Sequence, residues 1–465
     1  MKVPVAGETL GAGELARLRA GLALQMDHYG GGRLPFVCLQ ARGLVQHMAA
    51  LEGPDAGRVV EVMDASGGYA SACLGAGHPR MQEALREGLE RTGYVTDELG
   101  SLERILLLEE LFGPQGRWAD RFPGNAYHAS GRNSGSEGLE LALRLVLESG
   151  FDRRRLVPKP ERAERRTILA FEGAWHGWTQ GLVSLLNRRH YRMGLPLPAT
   201  EGPAGLDVQF LPFGEAAHLE SFFAEHGRKL AAVFVEPIQG DAGILVPPVG
   251  YLRRLAALCR EHEVLLVADE VLTFAKTGRF FGMTDEQGPI PTDITVIGKS
   301  LGMGVVSTSM VIARRELSVR SSGAVSTSDL RPLTSAVMRA GIQYIASEGL
   351  VERAGPLGEE LRGRLRKDVV EVFPELFQEV RGLGYMNGIE LTERSAGSLS
   401  KLRARLLEAG IFVEFMAGAG RRSRGLRYVF PAMRIAPPLI AGEADLQEMV
   451  ARLQRGVRKF VEAGS

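Results

Sequence analysis

The middle of the chain alternates short apolar runs with amphipathic stretches of helical period, and this alternation limits the fold more than any other feature. Arg166–Phe171, Ala231–Glu236, Val264–Asp269 and Asp293–Gly298 read as buried strands, each closing on a polar, aromatic or glycine residue. Gly135–Leu147 and Tyr251–Glu261 carry the helical pattern. Strands apolar on both faces need cover on both faces, so the pattern predicts an α/β fold with a mainly parallel sheet between helices. In such sheets ligands bind beyond the carboxyl ends of the strands. The polar residues that close these runs are therefore the candidates for chemistry.

The flanks read differently. The first part of the chain suggests a helix at Gly11–Met26, a link containing Gly and Pro, and a two-strand stretch around Gly57–Leu74. Beyond Pro332 come long helices (Leu333–Ala346, Gly358–Val372) and short strands near Val380–Leu391 and Tyr428–Ile435. The expected organisation is an N-terminal segment over 1–75, a large domain over 76–335 and a smaller C-terminal α+β domain over 336–465. The 56 basic and 55 acidic residues leave a net charge of +1, which argues against nucleic acid or an anionic membrane as the main partner. Arg153–Arg155 and the cluster Arg421, Arg422 and Arg424 read as solvated faces. The opening Met1–Leu10 is not followed by the apolar stretch of a signal peptide, and no window is apolar for long enough to span a membrane. Cys38, Cys73 and Cys259 are far apart and lack metal-type spacing. They read as free thiols in a reducing compartment, so a cytoplasmic protein is expected.

Asp269 and Lys299 stand at the ends of two predicted strands, in LLVADE and DITVIGKS. A buried carboxylate needs a cationic partner, because leaving it unpaired costs several kcal/mol. Two arrangements satisfy the pair. Lys299 and Asp269 can form a structural salt bridge, or the carboxylate can face a protonated pyridine nitrogen while the amine binds an aldehyde. SGRNSGSEGLE (Ser130–Glu140) sets Gly135 and Ser136 at a helix start, where free N–H groups and the dipole favour an anion. Ser/Gly helix starts are common, so this feature is weak alone. FEGAWHGWT (Phe171–Thr179) follows a strand, and its aromatics suit either a planar ligand or the core. GKS at Gly298–Ser300 resembles the tail of a phosphate-binding P-loop, but the first glycine of that loop would fall at Asp293, inside a strand pattern.

Taken in order, these pieces resemble the class III aminotransferases of the fold-type I pyridoxal-phosphate (PLP) enzymes. The resemblance runs from about Val62 to Leu439. DASGGYASACLGAGHPRMQEAL is similar to the family's N-terminal stretch, with Gly77, His78 and Pro79 as its glycine–His–Pro element. NSGSEGLELALRL resembles its SGxEAxExAxxxA helix start, AWHGWT its YHGxT and EPIQGDAGI its EPxxGxGG. ADEV and GKSLGMG resemble the aspartate and lysine motifs, and VRGLGYMNGIEL and RIAPPL the C-terminal strands.

The resemblance implies a large domain with a seven-stranded sheet, a smaller α+β domain built from both chain ends, and a homodimer with shared active sites. It implies that Lys299 carries PLP as a Schiff base and then moves the substrate Cα proton, while Asp269 keeps the pyridine nitrogen protonated. Gly135 and Ser136 would bind the phosphate, joined by Thr327 reaching the partner subunit's cofactor. Trp175 would stack on the ring with Val271 opposite, and His176 and Glu236 would complete the cofactor site. Tyr69, Trp178, Asp241 and Arg434 would line the substrate side, with Arg434 taking a carboxylate. The implied reaction moves an amino group, by a ping-pong mechanism, between a carboxylate-bearing amine or amino acid and an oxo acceptor. Racemisation, epimerisation or aminomutation would use the same lysine and aspartate.

The sequence departs from the family where substrates are read. Trp178 stands where many members carry an arginine for a second carboxylate, Leu272 replaces a common glutamine, and STSDLRP (Ser326–Pro332) replaces a glycine-rich STFGGNP. TFAKTG (Thr273–Gly278) shortens the TGFGRTG loop. An indole in place of a charged fork points to a pocket for apolar or aromatic substituents and away from 2-oxoglutarate as acceptor.

Overall fold

The computed structural model describes residues 4–30, 34–53, 55–96, 98–152, 155, 157–188, 191–192, 205–317 and 330–464. Helix α1 (Ala12–Tyr29) lays Leu15, Leu18 and Leu22 on a small apolar cluster formed by Leu10, Ala49, Leu51 and Val59. The stretch expected to be a link is instead a hairpin of β1 (Phe36–Arg42) and β2 (Val45–Ala50), turning at Gly43 with φ of 58°. A glycine between two alternating apolar runs is the signal that marks it. The two strands expected around Gly57–Leu74 reduce to one, β3 (Val59–Asp64). It is followed by a turn at Gly67–Ala70 whose four residues all have φ between 56° and 60°. Left-handed backbone costs an L-residue roughly 1–2 kcal/mol, so Tyr69 and Ala70 must be held. Asp64 accepts from the Ser66 and Gly67 amides, Ser300 donates to the Ala70 carbonyl, and the Tyr69 amide donates to Glu414 at 3.0 Å.

The central sheet has seven strands: β4 (Tyr127–Arg132), β5 (Thr167–Phe171), β6 (Asp207–Leu211), β7 (Leu230–Val235), β8 (Leu265–Glu270), β9 (Ile294–Ile297) and β10 (Ser309–Arg314). Their order is β4-β10-β9-β8-β7-β5-β6, and β10 alone runs antiparallel to its neighbours. Every residue of β5, β7, β8 and β9 is buried, as continuous apolar runs require. Helix α2 (Gly135–Ser149) packs Leu139, Ala142 and Val146 on one face of the sheet. Helix α3 (Tyr251–Glu261) packs Leu255 and Leu258 on the other. The predicted doubly covered parallel sheet is the observed one.

The C-terminal part opens with α4 (Pro332–Ser347) and α5 (Leu350–Leu365). The helix expected from Gly358 starts earlier and carries Pro356 inside it, which disguised its first turns. A second antiparallel sheet takes the order β11-β12-β15-β14, from β11 (Phe377–Leu383), β12 (Met386–Leu391), β14 (Glu414–Met416) and β15 (Ala432–Ile435). Just before β14, the short strand β13 (Ile411–Phe412) pairs with β3 and so ties the two ends of the chain together. Arg422 is not a solvated residue: it donates to the Phe213 carbonyl and pairs with Glu215, while Arg421 and Arg424 are exposed. Arg155 is exposed, and Arg153 and Arg154 lie outside the described residues. All three cysteines are free, and no helix among the described residues is long and apolar enough to cross a membrane.

Candidate active site

A cavity of about 550 Å³ opens at the carboxyl ends of the central strands, lined by Lys299, Asp269, Glu236, Trp175, His176, Val271, Gly135, Ser136, Tyr69, Trp178, Asp241 and Arg434 among others. Of the residues singled out in the sequence, Thr327 lies outside the described residues and all the rest line this one cavity.

Asp269 is the next-to-last residue of β8 and is 4% exposed. Its Oδ2 lies 2.9 Å from His176 Nδ1, and its Oδ1 accepts from the Val271 amide at 3.1 Å. Burial pushes the His176 imidazole down, but the hydrogen bond and charge of Asp269, with Glu236 beyond, raise it overall. Glu236 follows β7 and accepts from the Trp175 amide at 3.0 Å and the Gly240 amide at 3.2 Å. Burial, reinforced by the charge of Asp269, pushes its carboxyl up to about 7. Glu140 on α2 accepts from Thr179 and from the Gly181 amide at 3.0 Å. The loop after β5 is thus pinned by three carboxylates, which fixes where Trp175, His176 and Trp178 stand.

Lys299 follows β9 through Gly298 and takes a left-handed φ of 42°. Non-glycine residues in that region persist where the surroundings over-determine them, often at functional sites. Of the two arrangements open to Lys299 and Asp269, the salt bridge does not form: among the described residues no carboxylate lies within ion-pair distance of Lys299. Burial, then the nearby Arg434, hold its amine below the usual lysine range, against the pull of Asp269 and Glu236.

At the start of α2, Ser134 Oγ accepts from the Glu137 amide and Asn133 N–H donates to the Glu137 carboxylate. The Gly135 and Ser136 amides have no protein acceptor among the described residues, so both remain available to an anion. A Cβ built on Gly135 would come within 2.7 Å of Val271, so only glycine lets the helix start approach this wall.

Tyr191, which lines the cavity, and Arg188 and Glu414 beside it went unforeseen. Tyr191 closes an aromatic wall with Trp175 and Trp178, the three ring centroids lying 4.8–5.8 Å apart. Asp241 is engaged by Arg188 at 2.7 Å and by the Tyr191 hydroxyl at 2.8 Å. Glu414 on β14 sits directly opposite Arg434 on β15 and forms a buried ion pair with it. Tyr69 lays its ring over the same guanidinium at 5.6 Å. Cross-strand opposition of an acid and an arginine was the available signal, but reading it requires the register of a sheet whose strands are separated by a long excursion.

These groups fit PLP. A buried carboxylate shares the cavity with an uncommitted lysine, Trp175 and Val271 both line it, and two free amides at a helix start suit a phosphate. Fold and site together define an α/β enzyme of the fold-type I PLP class. The chain belongs to the class III aminotransferases, whose family model matches residues 55–457. The mitochondrial ornithine aminotransferase of Oryza sativa subsp. japonica is 30% identical over 95% of this chain and 85% of its own length. The ornithine aminotransferase of Bacillus cereus (strain Q1) is 32% identical over 90% of this chain and 94% of its own. The crystal structure of the Toxoplasma gondii ME49 ornithine aminotransferase superposes with a TM-score of 0.78 at 25% identity, covering 96% of this chain and 98% of that one.

Proposed function

We propose that this protein transfers an amino group from an amine bearing an apolar or aromatic substituent to an oxo acceptor. Lys299 carries this reading: it stands in the cavity without an ion-pair partner, in company with the Asp269–His176 pair. When bound, PLP supplies an electron sink for negative charge developing on the substrate carbon. Asp269, oriented by His176 and the Val271 amide, holds a proton on the ring nitrogen. Gly135 and Ser136 anchor the phosphate, and Trp175 and Val271 confine the ring. Lys299, its amine kept below the ordinary range by burial, takes and returns the proton at the substrate carbon. Trp178, Trp175 and Tyr191 offer the substituent an aromatic wall. The exposed rings of Tyr69 and Trp178 support completion of the site by a second copy of the chain.

The relatives' names raise ornithine as an alternative donor. A half-reaction screen separates the readings. PLP-loaded enzyme is mixed with single amines, including ornithine, glutamate and 1-phenylethylamine, without any oxo acid. Loss of the cofactor's visible band with release of an oxo product from the aromatic amine supports the proposal. Turnover confined to ornithine and glutamate refutes the substrate assignment. An unchanged band with Cα exchange and inversion in deuterated water makes the protein a racemase or epimerase instead. Lys299→Ala should abolish every one of these responses.

A further inference from the structure

Arg434 is the only arginine on the cavity wall among the described residues, and a carboxylate of the protein already occupies it. Its guanidinium donates through Nη2 to Glu414 Oε2, its buried Nε has no partner among the described residues, and both side chains are 4% exposed. The other oxygen of Glu414 accepts from the Tyr69 amide at 3.0 Å, so neither is spare. The register of β14 and β15 places the two residues directly opposite, which makes the pair part of the sheet. The Tyr69 ring covers the guanidinium at 5.6 Å. Asp241 cannot replace Glu414, since it is held by Arg188 and Tyr191.

We infer that Glu414 is a specificity-determining residue: it stands in for a substrate carboxylate at Arg434, so the pocket selects ligands that are neutral at that position. A second carboxylate brought to the same guanidinium would meet the charge of Glu414 in a water-poor site, where like charges repel strongly. Displacing Glu414 would strip a buried acid of its cation and release the amide that holds the Tyr69 turn. The inference narrows the substrate class and rests on the reading of the cavity as the substrate pocket. Together with Trp178 in place of a charged residue, it leaves Arg434, already paired with Glu414, as the one arginine among the described pocket residues.

The test uses PLP-loaded enzyme and two unreactive ligands of the same shape, 3-phenylpropanoate and 3-phenylpropanamide, titrated by the change in cofactor absorbance. Wild type should bind the amide at least threefold more tightly than the acid. Glu414→Gln keeps an acceptor for the Tyr69 amide but removes the charge, and should shift the acid-to-amide ratio at least tenfold toward the acid. Because that variant leaves a buried arginine unpaired and can fail to fold, the double variant Glu414→Gln/Arg434→Met provides an independent comparison. Its acid-to-amide ratio should match wild type within threefold. A wild type that does not favour the amide, a Glu414→Gln ratio that does not move, or a double variant that keeps the full shift of Glu414→Gln would each overturn the inference. These titrations decide the role of Glu414 even if no amine reacts, an outcome that would refute the transferase reading alone.

Discussion

Adding one methyl group at Gly135 tests how closely the start of α2 must approach the cavity wall. The built Cβ falls 2.7 Å from one Val271 methyl and 2.9 Å from the other, whereas ordinary contact begins at 3.4 Å. Either Val271 or the helix start must give way. Val271 is tied through its amide to Asp269, and the helix start carries two amides with no protein acceptor among the described residues. Overpacking of this kind costs about 1–3 kcal/mol. The better helix propensity of alanine returns less than ~1 kcal/mol. A net loss of about 1–2 kcal/mol corresponds to a 5- to 30-fold change in an equilibrium, here expected in PLP affinity. Fluorescence titration of the cofactor-free protein with PLP measures it. Val271→Ala removes both offending methyls, so Gly135→Ala/Val271→Ala should bind PLP better than the two single losses predict, with a coupling of about 1 kcal/mol or more. Single losses that add to within ~0.5 kcal/mol, or an unchanged affinity for Gly135→Ala, would refute the steric argument.

Three further outcomes are expected. Trp178→Arg should raise kcat/KM for dicarboxylic oxo acceptors about tenfold or more, since arginine supplies a carboxylate-reading fork; an unaltered acceptor profile separates position 178 from specificity. Glu236 has its pKa raised from 4.5 to about 7, so its contribution to the stability of the cofactor-free protein is complete below pH 4.5 and is lost as pH rises through 7. Glu236→Gln should therefore gain stability relative to wild type between pH 5 and pH 8, by up to ~3 kcal/mol in denaturant melts, and equal slopes would contradict this. Lys276 is fully buried, donates to the Pro437 carbonyl and is pushed down from 10.5 to about 8, chiefly by burial. Wild type should thus gain stability as pH rises from 8 toward 10.5, where the unfolded chain gives up its proton, and Lys276→Met should show no such gain in thermal melts.

The central sheet and its chemistry were legible because both obey local rules. A strand buried on both faces is a continuous apolar run, and the first polar residue after it falls where parallel sheets bind ligands, which located Asp269, Glu236 and Lys299. The helix start at Gly135 was legible for the same reason. What escaped was non-local. Asp269, for which a Lys299 ion pair was one of two open arrangements, instead meets His176, which comes from the loop after another strand, β5. Arg434 was placed in the pocket, but its partner Glu414 is an acid like many others until the strands pair. The β1–β2 hairpin was missed because β1 is only half buried, which weakened its alternation against the glycine and proline around it.

The left-handed turn at Gly67–Ala70 has a consequence for protein chemistry. Four successive residues there adopt backbone angles that are strained for L-amino acids and relaxed for their mirror images. D-alanine at position 70 should relieve about 1 kcal/mol of backbone strain, while its methyl leaves the buried cluster that Ala70 now joins. The chain supplies its own junction for making it, because Cys73 lies three residues downstream and a peptide thioester ending at Ala72 can be joined to it. A mirror-image residue would then sit in an otherwise natural protein, hydrogen-bonded to Ser300, the residue after Lys299.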